Sequence, residues 1–119
     1  MNLTSTVKDG IHIVTVTAPR IDSAIAIQFK EEMRLLTEHG PDRVVLDLSA
    51  VEFIDSSGLG AIVAAMKQLD GGRRLDLAAL TPVVQRVFSL TRMDTVFRIY
   101  PSTRAALSDG GPSDGTAGG

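Results

Sequence analysis

The chain has 119 residues, of which 44% are hydrophobic and 22% charged, and it contains no cysteine. This length accommodates one hydrophobic core, so a single domain is predicted, and the composition is that of a folded rather than a disordered protein. The absence of cysteine excludes disulfides, thiolate nucleophiles and zinc sites with sulfur ligands.

The charges are balanced over most of the chain. All twelve lysines and arginines and twelve of the fourteen acidic residues precede residue 109, and the remaining acids are Asp109 and Asp114. A neutral body without a basic cluster does not fit a nucleic-acid-binding surface, which needs cations to replace condensed counterions. No apolar stretch approaches the roughly 18 residues that cross a bilayer, and the N-terminus lacks a signal-peptide pattern. We therefore expect a cytoplasmic protein without membrane insertion.

The hydrophobic periodicity predicts strands and helices that alternate after an initial hairpin. Asp9-Gly10 is a hairpin turn sequence between two apolar runs, and Asp22 or Ser23 is expected to supply the N-cap of the first helix. The predicted elements are a strand over residues 3–7, a strand over 11–17, a helix ending at Glu38, a strand over 44–48, a helix over 59–69, a strand over 75–80, a helix beginning at Pro82, a strand over 96–100 and a short helix capped by Ser102.

The order β-β-α-β-α-β-α-β-α predicts a single α/β domain over residues 1–108, with a mixed sheet and helices packed mainly on one face. Residues 109–119 read DGGPSDGTAGG and are predicted to form a flexible Gly-rich tail, because they offer no large apolar side chain to bury. Sites in open α/β sheets lie at the carboxyl ends of strands, which directs attention to residues 49–57.

The segment DSSGLG, residues 55–60, follows the central strand and begins a helix. Asp or Ser at a helix start often does no more than cap the first turn, and this explanation stands beside a functional one. Glycine inside a helix costs about 1 kcal/mol, so Gly58 and Gly60 in one turn indicate a further reason, such as the close approach of a second macromolecule. A phosphate on Ser56 would meet free N–H groups and the positive end of the helix dipole.

This motif, in its strand-loop-helix setting, resembles the signature of STAS-domain anti-sigma-factor antagonists. The resemblance extends over residues 1 to about 108, through VVLDLSAVEFI before the motif and TPVVQRVFSLTRMDTVFRIYPSTRAAL near the C-terminus. It implies that the unphosphorylated protein binds an anti-sigma factor and releases a sigma factor. It also implies that this anti-sigma factor is a serine kinase that phosphorylates Ser56, and that a phosphatase restores the active form. The catalysts would then be other proteins, so we expect no enzymatic activity, metal or cofactor in this chain, which would be a monomer or weak dimer.

The partner-binding surface is predicted to surround Ser56 and to include the exposed edge of the second helix and the loop over residues 19–23. A phosphate would add about −1.5 to −2 charges there, and a partner fitted to a neutral hydroxyl would have to bury them unpaired. The chain departs from many relatives at Ala18-Pro19-Arg20, which bears on the identity of the partner. The predicted partner-binding residues are Asp22, Ser23, Asp55, Ser56, Ser57, Gly58, Leu59, Gly60, Ala64 and Lys67.

Two other functions are compatible with the sequence. The domain could be an adaptor in a signalling or lipid-transport assembly, with Ser56 serving only as a cap. A hydrolase that uses Ser56 as nucleophile would need a base, whereas His12 and His39 are both expected to have structural roles.

Asp47 is expected either to cap a neighbouring backbone group or to border the Ser56 loop.

Overall fold

The computed structural model describes residues 2–69 and 71–109. Helices and strands follow the predicted order, with two additional strands of two residues each. The elements are β1 (Leu3–Lys8), β2 (Ile11–Val16), β3 (Arg20–Ile21), α1 (Ala26–Thr37), β4 (Arg43–Asp47), β5 (Phe53–Ile54), α2 (Ser56–Gln68), β6 (Arg74–Ala78), α3 (Pro82–Leu90), β7 (Ile99–Tyr100) and α4 (Thr103–Asp109), with a 3₁₀ turn at Met93–Thr95.

The main sheet is mixed and has the strand order β1-β2-β4-β6-β7. β1 and β2 form the predicted antiparallel hairpin, whose turn residues Asp9 and Gly10 have φ values of 55° and 75°. This left-handed pair is the backbone that an Asp-Gly hairpin turn requires. The other neighbours pair in parallel, so the carboxyl ends of β2, β4, β6 and β7 lie at one edge of the sheet.

The sheet is covered on both faces, and most of the core lies on one of them. α1, α2 and α3 pack on the first face, where Phe29, Met33, Ile62 and Phe88 are completely or almost completely buried. α4 packs on the opposite face over a smaller cluster that includes Tyr100. The prediction of helices mainly on one face is confirmed. Because β4 is buried on both sides, Val44, Val45 and Leu46 form a continuous apolar run without alternation.

The start of α1 differs from the prediction. The helix begins at Ala26 after Ile25, and no side chain caps it. Asp22 instead accepts a hydrogen bond through Oδ1 from the Ala24 N–H at 3.1 Å, which closes a turn before the helix. The expectation that Asp22 or Ser23 is the N-cap was therefore wrong, because Asp22 satisfies backbone in the connecting loop.

The last strand is also shorter than predicted. β7 contains only Ile99–Tyr100, because Met93–Thr95 forms a 3₁₀ turn and Phe97 turns inward to pack edge-to-face on Phe88 at 6.1 Å between ring centroids. Asp109, which was assigned to the tail, is the last residue of α4 and accepts a hydrogen bond from the Tyr100 hydroxyl at 2.6 Å. The rest of the predicted tail, residues 110–119, lies outside the described residues.

Candidate functional site

Ser56 is the first residue of α2 and follows β5 at the carboxyl edge of the fold. The preceding residue, Asp55, has extended backbone and caps the helix, since its Oδ1 accepts a hydrogen bond from the Gly58 N–H at 2.9 Å. The Ser56 side chain is exposed, and its hydroxyl has no hydrogen-bond partner among residues 2–69 and 71–109. The capping role therefore belongs to Asp55, and the Ser56 hydroxyl is free for another purpose.

The two glycines of the motif have different environments. A Cβ on Gly58 would lie 1.9 Å from the carbonyl oxygen of Ile21, so only glycine lets the first turn of α2 pack against β3. Gly58 is buried, and the expectation that it opens the helix to a partner was wrong. A Cβ on Gly60 would meet nothing within 4 Å, and Gly60 is exposed. Gly60 thus leaves the helix backbone open to the outside.

The short strands β3 and β5 bring the loop after β3 to the start of α2. They pair in parallel, with Ile21 opposite Ile54, so Asp22 and Asp55 follow at the same edge. The Asp55 N–H also donates to the Ile21 carbonyl at 3.4 Å. The sequence indicated that this loop borders the Ser56 turn but not the pairing that puts it there, because two-residue strands carry no periodic signal.

An arginine lies on the outer side of the same two strands. The Arg20 guanidinium carbon is 4.1 Å from the centroid of the Phe53 ring, and Arg20 Nε is 3.2 Å from Asp22 Oδ2. The sequence marks Arg20 only as an added charge, and Phe53 is not among the residues predicted from it. The stacking was not foreseeable from spacing, since the two residues are 33 positions apart and meet only through the β3–β5 register.

The solvent-facing side of α2 continues the surface away from Ser56. Ser56, Gly60, Ala64 and Lys67 recur at helical spacing and share this side. Gly60 and Lys67 are exposed and Ala64 is half-buried, whereas Leu59 packs partly against the core. Ser57, beside Ser56, is exposed. The surface is built mainly of small side chains, which leaves room for a partner near the helix backbone.

The other polar residues considered from sequence lie elsewhere or have local roles. Asp47 Oδ1 accepts a hydrogen bond from the Ser49 N–H at 2.9 Å. Of the two roles expected for Asp47, this is the capping of a neighbouring backbone group. His12 pairs with Val44 near the amino end of β4, and His39 precedes that strand, so both imidazoles lie at the edge opposite Ser56. Within the described part of the chain, no three metal-ligating side chains are grouped so that they could hold an ion. No helix in that part is long and apolar enough to span a membrane.

Comparison with known proteins gives the class of protein that this fold and site represent. The family model described as the STAS domain matches residues 2–106. The chain therefore belongs to the STAS domain family.

The chain is similar to several anti-sigma factor antagonists over most of its length. It is 34% identical over 109 residues to BtrV of Bordetella bronchiseptica, named as a candidate anti-sigma factor antagonist, a match that covers 91% of this chain and 93% of that protein. It is 28% identical to the anti-sigma-F factor antagonist RsfB of Mycobacterium tuberculosis, over 90% of this chain and 88% of the relative. The crystal structure of an anti-sigma factor antagonist from Mycobacterium paratuberculosis superimposes with a TM-score of 0.80 at 30% identity, over 89% of this chain and 90% of that one.

Proposed function

We propose that this protein is an anti-sigma-factor antagonist that binds its anti-sigma factor in the unphosphorylated state and thereby releases a sigma factor. The single observation that carries the proposal is the free, exposed hydroxyl of Ser56 at the start of α2, in a helix already capped by Asp55. Similarity to anti-sigma factor antagonists over about nine-tenths of both chains supports the same assignment.

We call the surface that would bind the anti-sigma factor the Ser56 face. It comprises the predicted partner-binding residues with the exception of Gly58, which supports the face from beneath. The members are Asp22, Ser23, Asp55, Ser56, Ser57, Leu59, Gly60, Ala64 and Lys67.

Phosphorylation of Ser56 by the anti-sigma factor, acting as a serine kinase, would switch binding off, and a phosphatase would reverse it. The phosphoryl group adds about −1.5 to −2 charges beside the carboxylates of Asp22 and Asp55. A partner surface complementary to a neutral hydroxyl would bury this charge without a counter-ion, at a cost of about 3 to 5 kcal/mol. That cost corresponds to roughly two to four orders of magnitude in affinity. The fold need not change, because the phosphate extends outward from the first turn of α2.

In this account the protein acts by binding and performs no turnover of its own. The kinase and the phosphatase supply the chemistry, and the protein works in the cytoplasm as a monomer or weak dimer. A static adaptor built on the same domain would retain the Ser56 face but would not accept a phosphate.

A kinase reaction tests the switch. The full chain is incubated with the anti-sigma factor kinase of its own organism and ATP, and the intact mass is measured. We expect one added phosphoryl group in the wild type and in Ser57→Ala, and none in Ser56→Ala. No added mass in the wild type, or addition that persists in Ser56→Ala, would contradict the proposal.

Steric blocking tests the Ser56 face independently of phosphorylation. Gly60→Leu adds a side chain where the structure has open space, so the fold is retained while a partner is held away from α2. We expect it to weaken binding to the anti-sigma factor at least tenfold. The control is Ser108→Leu, at an exposed position on α4 and on the opposite face of the sheet. Equal affinities of the two variants for the anti-sigma factor would show that α2 is not part of the interface.

A further inference from the structure

The two strands β3 and β5 have an inner and an outer side. Ile21 and Ile54 are opposite each other and are 0% and 3% exposed, so both side chains point into the core. Side chains alternate along a strand, and Arg20 and Phe53, one position earlier on each strand, therefore point outward. Arg20 and Phe53 are also opposite each other, which is why the guanidinium lies over the ring.

Asp22 and Asp55 directly follow these strands, at an interval of two residues from Arg20 and Phe53. Arg20 bridges that interval, because its Nε is 3.2 Å from Asp22 Oδ2 while its guanidinium carbon stays 4.1 Å from the Phe53 ring. The Arg20 side chain thus lies over the two strands and reaches Asp22, which follows β3 at the same edge at which Asp55 and Ser56 follow β5. It is 58% exposed, so the pair with Asp22 is weak and exchangeable.

A phosphate on Ser56 would join several negative charges near the start of α2, and a nearby cation would stabilise it. Asp22 and Asp55 directly follow the two strands, and the exposed Glu52 precedes β5. A phosphoryl group would add a further −1.5 to −2 charges to these three carboxylates. Arg20 is a cation that already pairs with one of these carboxylates, Asp22. A guanidinium matches phosphate oxygens in a two-pronged arrangement and binds a dianion in preference to a single carboxylate.

We propose that Arg20 is the internal partner of phosphorylated Ser56, and that its guanidinium leaves Asp22 for the phosphoryl group when Ser56 is modified. This inference rests on the proposed function only in that Ser56 receives a phosphate. The exchange releases the Asp22 carboxylate, which belongs to the Ser56 face. Phosphorylation would then alter the face at two places, on α2 and in the loop after β3, while the Phe53 ring keeps the arginine within reach.

The test uses the full chain with phosphoserine incorporated at position 56 during synthesis, so that no kinase is needed. The second pKa of the phosphoryl group is followed by phosphorus NMR in the wild-type background, in Arg20→Gln and in a control, Arg104→Gln, whose exposed arginine lies on α4 across the sheet. A neighbouring guanidinium favours the dianion, so we expect this pKa to be about 0.5 to 1 lower in the wild type than in Arg20→Gln. The control should match the wild type.

A second readout follows the release of Asp22. Its Oδ1 accepts the Ala24 N–H, so the Ala24 amide resonance should move on phosphorylation in the wild type and remain in place when Arg20→Gln is phosphorylated. Identical phosphoryl pKa values in the wild type and Arg20→Gln would overturn the inference. Because phosphoserine is installed without the kinase, that result would leave the proposed function standing. Conversely, failure of the kinase reaction would leave the Arg20 measurement valid.

Discussion

The α-carbon of Gly58 faces the carbonyl oxygen of Ile21 so closely that a Cβ on Gly58 would lie 1.9 Å from that oxygen and 2.7 Å from the carbonyl carbon. The contact joins the first turn of α2 to β3, and it fixes the loop that carries Asp22 beside the helix that carries Ser56. The glycine at this place is required by the packing of the chain on itself.

Alanine at the two glycines should therefore have opposite effects. Gly58→Ala forces a backbone shift of β3 or α2, and we expect a loss of at least about 2 kcal/mol in the free energy of unfolding. Gly60→Ala enters open space in a helix and should raise that free energy by about 0.5 to 1 kcal/mol. Urea unfolding of both variants measures the difference. Similar stability of the two variants would contradict the close packing of α2 on β3.

The cap on α2 predicts a second pair of variants. Asp55→Ala removes the acceptor for the Gly58 N–H and should cost about 0.5 to 2 kcal/mol of stability. Asp55→Asn keeps an oxygen at the same place, and asparagine is an equally good N-cap, so its stability should stay close to that of the wild type. Thermal unfolding of the two variants is the measurement. If the alanine variant were as stable as the asparagine variant, Asp55 would not be the cap and Ser56 would be the next candidate.

A buried carboxylate in the middle of β6 makes a third prediction. Asp76 on β6 has a side chain that is 2% exposed, and its Oδ2 lies 3.0 Å from Arg43 Nη2 and 2.9 Å from Arg74 Nη2. Asp76→Ala leaves the largely buried Arg43 without this partner and should cost about 3 to 5 kcal/mol. Glu31→Ala removes an exposed carboxylate that pairs with Arg34 and should cost much less. Urea unfolding of both variants measures the two losses in the free energy of unfolding. Equal losses would contradict the prediction that the buried ion pair of Asp76 contributes more to stability than an exposed one.

His12 gives the stability a pH dependence. Burial, and secondarily the charge of Arg73, lower the pKa of His12 in the folded state. The unfolded chain, with an ordinary histidine pKa near 6.5, then binds more protons than the folded one as the pH falls below about 6.5. The stabilisation due to neutral His12 is therefore fully present above that pH and is lost as the pH decreases toward the folded value.

The variant His12→Leu isolates this contribution, because the other titrating groups are common to both proteins. We expect the free energy of unfolding of the wild type to fall relative to that of the variant between pH 7 and pH 5. A difference between the two proteins that is constant over this range would contradict the account.

The order of the main elements could be predicted because each carries a local signal. The Asp9-Gly10 turn, the amphipathic helices and the proline at the start of α3 all depend on neighbours in sequence. Ser56 was identified for the same reason, since the motif and the helix start are contiguous.

The features that escaped prediction depend on residues far apart in the chain. The pairing of β3 with β5 is two residues long and brings together positions 33 residues apart, so no hydrophobic periodicity predicts it. The role of Gly58 depends on Ile21, and the position of Arg20 depends on Phe53, through the same pairing. The buried ion pair of Asp76 did leave a signal in the sequence. A single carboxylate between the apolar residues of β6 indicates a buried charge that needs a partner.

We propose that one phosphate on Ser56 decides whether this protein binds its anti-sigma factor. The most direct test is the dissociation constant of that complex, measured by calorimetry at one salt concentration, for the unphosphorylated protein and for the protein phosphorylated at Ser56. The account predicts that the phosphorylated form binds about a hundredfold to ten-thousandfold more weakly. Dissociation constants that agree within about twofold would contradict it, because the added charge would then lie outside the interface.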